Sequence, residues 1–384
     1  MQDPARIDEH RTPRRLFGEL GGACGDLGTL LPYAIGAMTV AGLAPLGVLF
    51  GFGAFLVASG LFYGLPMAVQ PMKMVGAILL TGGMSAGEAA ATGMLIGAIM
   101  LVLGLTGAIG TVARLIPQSV TAGLQLGLGL TMGLIGFRLM GDALWFGLAL
   151  LAVLIALMRI PRCPAAPLTL LVAVAAGLAM GIVAPPEAIA FDWRWPLATL
   201  PSWEEAWRAL ALAVLPQLPL TLTNAVIVTA ILSRELFPRR PARATELNLT
   251  LSTGIANLTL APFGAMPMCH GAGGVQAQYR FGARTGLAPV MLGALLLILA
   301  LGLSGAAAGL LGLIPLPALG ALLMVAGADL ALSKRLFDAR PACRPAIALT
   351  AALTLFVNPA AGLAAGWLLE MARLRVARYA VGKG

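Results

Sequence analysis

Lys73 stands inside an apolar stretch, GLPMAVQPMKMVGAILLTGG (residues 64–83), shortly after Pro66 and Pro71. Each proline lacks a backbone donor and clashes with the preceding turn, which excludes an ordinary helix through this region. An extended piece to Val69 and a helix starting near Pro71 fit instead, since proline suits a first helical turn. A helix that starts in apolar surroundings leaves unbonded N–H groups and the positive end of its dipole there. An anion satisfies both. The ammonium of Lys73 adds a full charge, so Gln70, Pro71, Met72 and Lys73 are candidate anion contacts. The competing use of Lys73 is a structural ion pair, with Asp26 as partner.

A second stretch, FGAMPMCHGAGGVQAQYRFGARTG (263–286), has the same grammar. Pro267 interrupts it, and His270, Gly271, Ala272, Gly273 and Gly274 follow. Glycines let backbone N–H groups approach an anion closely, and tight helix packing is their other use. His270 has the chemistry to bind, to gate or to carry a proton. Two more motifs put polar groups into apolar sequence: GDLGTLLP (25–32) with Asp26 and Thr29, and QLPLTLTNAV (217–226) with Gln217, Thr221, Thr223 and Asn224. Asp26 reads three ways: a coupling acid, a partner for Lys73, or a helix cap at a glycine break.

The elements that position these residues must be membrane helices. Of 384 residues 59% are hydrophobic and 11% charged, against about 45–50% and roughly 25% in soluble domains. A soluble enzyme and a disordered chain are both excluded. The apolar runs are continuous rather than alternating, which excludes a β-barrel. Spans fall near 18–41, 45–64, 68–82, 86–109, 115–137, 143–158, 165–184, 208–232, 245–263, 267–281, 286–312, 315–332, 345–357 and 359–373. The pair 68–82 and 267–281 is too short for a full crossing of about 20 residues. The final pair has one kinked segment as its alternative reading.

Net charge is +9, but position outweighs the total. With a cytoplasmic N-terminus, 21 of the 25 basic residues fall on one side, and the opposite loop 185–207 holds Glu187, Asp192, Glu204 and Glu205. Both termini are therefore expected in the cytoplasm, with the protein in a bacterial inner membrane and no nucleic acid as partner. Cys24, Cys163, Cys269 and Cys343 stand singly, so neither a zinc site, nor another metal site, nor a disulfide framework is indicated. No cofactor is expected. The N-terminus has no apolar region of the kind a cleaved signal peptide needs.

The two halves resemble each other. LGLTGAIGTVARLIP (103–117) lies over LGLSGAAAGLLGLIP (301–315) with eight of fifteen positions identical, and Phe62, Pro66 and Met67 fall on Phe263, Pro267 and Met268 at nearly the same offset. Seven spans per half invert the second copy, a signature of secondary transporters whose interrupted segments meet at the midplane. The two short spans are third and tenth in order. Enzyme motifs fail on context. Gly302-Leu303-Ser304-Gly305 matches the GxSG of rhomboid proteases, but no histidine follows it, and Gly83-Met84-Ser85-Ala86-Gly87 lies at a span end rather than on a strand–helix turn. Neither HExxH nor a P-loop occurs.

Together GDLGTLLP, AVQPMK, QLPLTLTNAV and MPMCHGAGGVQAQYRFGARTG resemble the molybdate/sulfate transporter family related to the SulP anion transporters. The resemblance implies an all-α polytopic fold shared with uracil permease: fourteen transmembrane segments as two inverted repeats of seven, with half-helices at segments 3 and 10. It implies an N-terminal cytoplasmic segment (1–17), repeat 1 (18–184; core 18–109, gate 115–184), an extracytoplasmic loop (185–207), repeat 2 (208–373; core 208–312, gate 315–373) and a cytoplasmic tail (374–384). A C-terminal STAS domain, found in the wider SulP group, has no counterpart after residue 373.

The substrate implied is a tetrahedral oxyanion, molybdate before sulfate, held between Gln70 to Lys73 and His270 to Gly274. Asp26, Thr29, Gln217 and Asn224 match the other two motifs. Expected function is import by secondary active transport, with a core domain moving against a gate domain in the lipid bilayer. Protons are the coupling ion considered, with Asp26 and His270 as carriers, and relatives of the fold are often homodimers. A sulfate or general oxyanion carrier and an anion channel are the alternatives. A nucleobase permease fits less well, because segments 8 and 10 lack the paired carboxylates of such sites.

Overall fold

In the computed structural model the described residues are 13–381, apart from 110, 112–116, 161–162, 186–192, 239–242, 304–305, 307–309, 311 and 333. Ser304, Gly305, Glu187, Asp192 and the two chain ends therefore lie outside the described residues.

The expected first span divides. Helix α1 (Pro13–Gly25) and helix α2 (Leu27–Thr39) meet at Asp26. The Asp26 backbone carbonyl accepts from Thr29 and Leu30, so it starts α2, but its carboxylate does not cap that helix. The glycine face of α1 explains the close contact of this region with the second half. A side chain at Gly22 would collide with Ala283, and one at Gly25 would crowd Ala277 and Phe281.

After helix α3 (Pro45–Tyr63) the chain turns at Gly64, whose φ of +62° suits glycine, and runs extended into strand β1 (Val69–Pro71). Helix α4 (Lys73–Leu80) follows, only 8 residues long. Helices α5 (Ala86–Thr106), α6 (Gln118–Met140), α7 (Leu144–Met158) and α8 (Ala165–Ala179) complete the first half.

Helix α9 (Trp203–Leu236) is the longest, at 34 residues. Pro216 and Pro219 cannot donate to the carbonyls of Leu212 and Leu215. Ahead of them the helix widens to a π register over Leu210–Val214, where Leu215 N–H reaches the Leu210 carbonyl. A second π stretch spans Thr221–Val228. Helix α10 (Glu246–Leu260) leads to strand β2 (Met268–His270) and to helix α11 (Ala272–Arg280), 9 residues long.

Helices α12 (Leu287–Leu303), α13 (Leu316–Ala331), α14 (Arg344–Phe356) and α15 (Pro359–Val381) finish the chain. The last two are separate helices, not one kinked segment.

Four helices, α3, α5, α6 and α9, are long and apolar enough to cross a membrane by length and composition, and six further apolar helices are shorter. Packing joins the halves. Helix α3 lies against α12, α5 against α10, and α6 against both α13 and α14. Small residues permit this closeness. A Cβ on Gly136 would meet the Gly320 carbonyl at 2.6 Å, and one on Gly129 would meet that of Gly327 at 2.4 Å.

Candidate functional site

Strands β1 and β2 pair antiparallel, with Val69 opposite His270, Gln70 opposite Cys269 and Pro71 opposite Met268. The pairing continues as Met72 N–H donates to the Pro267 carbonyl at 2.9 Å. The prolines of the two interrupted segments thus lead into a two-stranded junction, and α4 and α11 each start at its end. Neither helix has a side-chain cap on its N-terminal residue, Met72 or Gly271.

Gln217 supplies part of what α4 lacks. Its Oε1 accepts from Met74 N–H at 3.0 Å, and its Nε2 donates to Thr221 Oγ1 at 2.9 Å. Both ends of this buried amide are engaged by the protein, so it positions the start of α4. Thr223 and Asn224 are the third and fourth residues of the π stretch Thr221–Val228; both are partly buried, and Thr223 donates to the Pro219 carbonyl.

Asp26 is buried and accepts from Gln70 Nε2. Lys73 makes no ion pair among the described residues. It is partly buried, and its charge lies within electrostatic reach of both Asp26 and Asp329. The suggested Lys73–Asp26 salt bridge is therefore replaced by a Gln70–Asp26 hydrogen bond beside an unpaired ammonium. Thr29 is partly buried one turn into α2.

The glycines at the start of α11 divide by surroundings. A Cβ on Gly271 would overlap Gln70, and one on Gly274 would meet Ala68 at 2.4 Å and Asp26 Oδ2 at 2.6 Å. Gly273 has no heavy atom within 4 Å of the same position and is exposed. Packing thus demands Gly271 and Gly274, while Gly273 borders open space. Ala272, Pro71 and Met72 are buried in the junction.

His270 is buried, packed against a tilted Phe55 ring and edge-on to Tyr63, with ring centroids at 4.9 and 5.3 Å. Its Nδ1 lies 3.1 Å from the Ala68 carbonyl, which can only accept. For the neutral ring, Nδ1 is then the donor and Nε2 accepts from Ser252 Oγ at 2.9 Å. Tyr63 in turn donates to Ser252 at 2.7 Å.

Two residues at the junction escaped sequence reasoning. Asn257 clamps β2 from α10: its Nδ2 donates to the Met268 carbonyl at 2.6 Å and its Oδ1 accepts from Met268 N–H at 2.9 Å. Asn257 in an apolar span was the available signal. Asp329 is exposed on α13 and lies within electrostatic reach of Lys73 from the second half of the chain.

Comparison with solved structures defines the class. The fold matches the transmembrane domain of a cyanobacterium bicarbonate transporter, BicA, with a TM-score of 0.69 and 18% identity over 91% of this chain and 98% of that one. It also matches murine Solute Carrier 26 family member A9, an anion transporter in the inward-facing state, with a TM-score of 0.70 and 14% identity over 96% and 70%. The mostly helical fold is the one shared by these two proteins.

Sequence comparison is more specific. A family model described as "Molybdate transporter of MFS superfamily" matches residues 18–132 and 209–330. Molybdate transporter 1 of Arabidopsis thaliana is 31% identical over 96% of this chain and 94% of its own length. Molybdate transporter 1 of Chlamydomonas reinhardtii is 29% identical over 82% and 83%. The chain belongs to this molybdate transporter family, and it is an anion transporter rather than an enzyme.

Proposed function

We propose that the protein is a secondary active importer of a tetrahedral oxyanion, molybdate first. The observation that carries this reading is Lys73, without an ion-pair partner among the described residues, beside two short helices whose N-terminal residues make no side-chain cap, with Gly273 open to solvent at the start of the second. An oxyanion there accepts from backbone N–H groups of α11 and from Lys73, as helix starts favour. Molybdate comes before sulfate because the curated relatives are molybdate transporters. The two dianions are otherwise alike in shape and charge.

In this reading α4 and α11 are the half-helices of segments 3 and 10 among fourteen, arranged as two inverted repeats. Core residues 18–109 and 208–312 carry the site, and gate residues 115–184 and 315–373 stay in place while the core moves. Gln70, Pro71, Met72, His270, Gly271, Ala272 and Gly274 shape the junction, while Lys73 and Gly273 touch the anion. Gln217 orients α4, and Thr29 and Asn224 line the approach. Both termini face the cytoplasm, on the balance of basic residues.

Protons are the coupling ion in this scheme, with Asp26 the carrier. It adjoins both Gln70 and the start of α11. His270 is the less suited of the two named carriers, because both its nitrogens are engaged away from Gly273.

The test is calorimetric titration of the purified protein with molybdate, tungstate, sulfate and uracil in turn. Tight binding of molybdate and tungstate with weak sulfate is the expected result. Equal sulfate binding makes the protein a general oxyanion carrier. A response to uracil alone overturns the site.

A further inference from the structure

A cavity of about 780 Å³ opens at the end of the molecule where α2 and α6 finish and α3 and α13 begin. Thr39 and Pro45 line it from the core side, and Arg138, Ile182 and Leu316 from the gate side. It therefore sits on the seam between the two moving parts, at the face opposite the N-terminus. Among the described side chains, Arg138 is the one charged group in its lining. That side chain is exposed and has no ion-pair or hydrogen-bond partner among the described residues.

The rest of the lining favours the same sign. Helices α3 and α13 start at this cavity, after Ala44 and Pro315, and neither has a side-chain cap. Their positive dipole ends add to the field of Arg138. Most of the wall is apolar, and a low-dielectric wall focuses such a field into the cavity. A second cavity at the same face, of about 670 Å³, is lined by Glu88, Glu204, Glu205 and Arg208. There Arg208 is already paired with Glu88 at 3.0 Å. An anion arriving at this face is repelled from the second cavity and drawn to the first.

We propose that the cavity around Arg138 is an outer capture site, which takes the oxyanion from solution before the central site receives it. The proposal rests on the transporter reading above. Capture by a lone exposed charge acts on the encounter rate and is weakened by salt, whereas the central contacts govern residence.

The experiment reconstitutes the full chain into vesicles and measures initial molybdate uptake at low and high ionic strength. Wild type is compared with Arg138→Lys, Arg138→Gln and Arg138→Glu. Arg138 is exposed, so these changes require no repacking. Arg138→Gln is expected to raise KM by about three- to tenfold with Vmax unchanged, and Arg138→Glu to raise it further. Arg138→Lys keeps the wild-type KM, Arg138→Gln loses most of the salt dependence of uptake, and Arg138→Glu reverses it. Equilibrium molybdate binding to purified Arg138→Glu stays within about twofold of wild type, as a steering charge requires.

A wild-type KM and salt dependence in Arg138→Glu overturns the capture site. So does a fall in Vmax at constant KM. If wild type neither binds nor transports molybdate, the transporter reading itself has failed. If it does both and the Arg138 series is indifferent, only the capture site has.

Discussion

At the scale of residues, Lys73 and the two glycines of α11 make separable predictions. Lys73 carries its charge without an ion-pair partner among the described residues. A hydrogen bond to a charged group is worth about 1.5–3 kcal/mol, so Lys73→Gln is expected to weaken molybdate binding by roughly ten- to a hundredfold. Wild-type affinity in a folded Lys73→Gln protein, read by calorimetry, removes the lysine from the site. Gly273→Ala adds a methyl where nothing lies within 4 Å. It is expected to leave the melting temperature unchanged while weakening binding, because the methyl occupies the anion's place. Gly274→Ala drives the same methyl into Ala68 and Asp26 and is expected to destabilise the fold by about 1–3 kcal/mol. Thermal unfolding in detergent separates the two, and equal melting temperatures for both variants contradict the assignment.

At the scale of elements, the β1–β2 junction is held from outside by Asn257. Asn257→Leu leaves the buried Met268 N–H without an acceptor, a loss of about 1–3 kcal/mol. A lower melting temperature together with weaker binding is expected. An unchanged melting temperature argues that the junction is self-supporting. The breaks at Pro66, Pro71 and Pro267 were legible in the sequence because proline acts through its own covalent geometry. The Asn257 clamp was not legible, since its meaning depends on α10 folding back over residues 261–267. Asp26 shows the same limit. Three uses fitted its sequence context, and only the position of Gln70, 44 residues away, decided which group its carboxylate meets. The break between α1 and α2 at that residue was hidden inside an apolar run for the same reason. That the chain is built of apolar helices was legible, because apolar length is a local property, and four of them are long and apolar enough to cross a membrane.

At the scale of the whole molecule, the proposed import moves a dianion into a negative compartment. This costs about 2.3 kcal/mol per charge for each 100 mV. Two co-transported protons cancel the charge, so an inward acid gradient imposed on vesicles is expected to speed molybdate uptake, and a protonophore to abolish that gain. Uptake that ignores the gradient and the protonophore contradicts proton coupling while leaving the oxyanion site intact. The way the two halves are stitched also has a consequence for biosynthesis. His270 bonds to Ala68, 202 residues earlier, and β1 finds its only strand partner among the described residues in β2. Such distant pairing is slow to form, because the loop between must close first. During translation β1 and the start of α4 are made long before their partners, β2 and Gln217, exist. Until residue 270 has been made, β1 has no strand partner in the nascent chain. A chain arrested before β2 therefore lacks the junction, so the proposed oxyanion site is among the last features the growing chain completes.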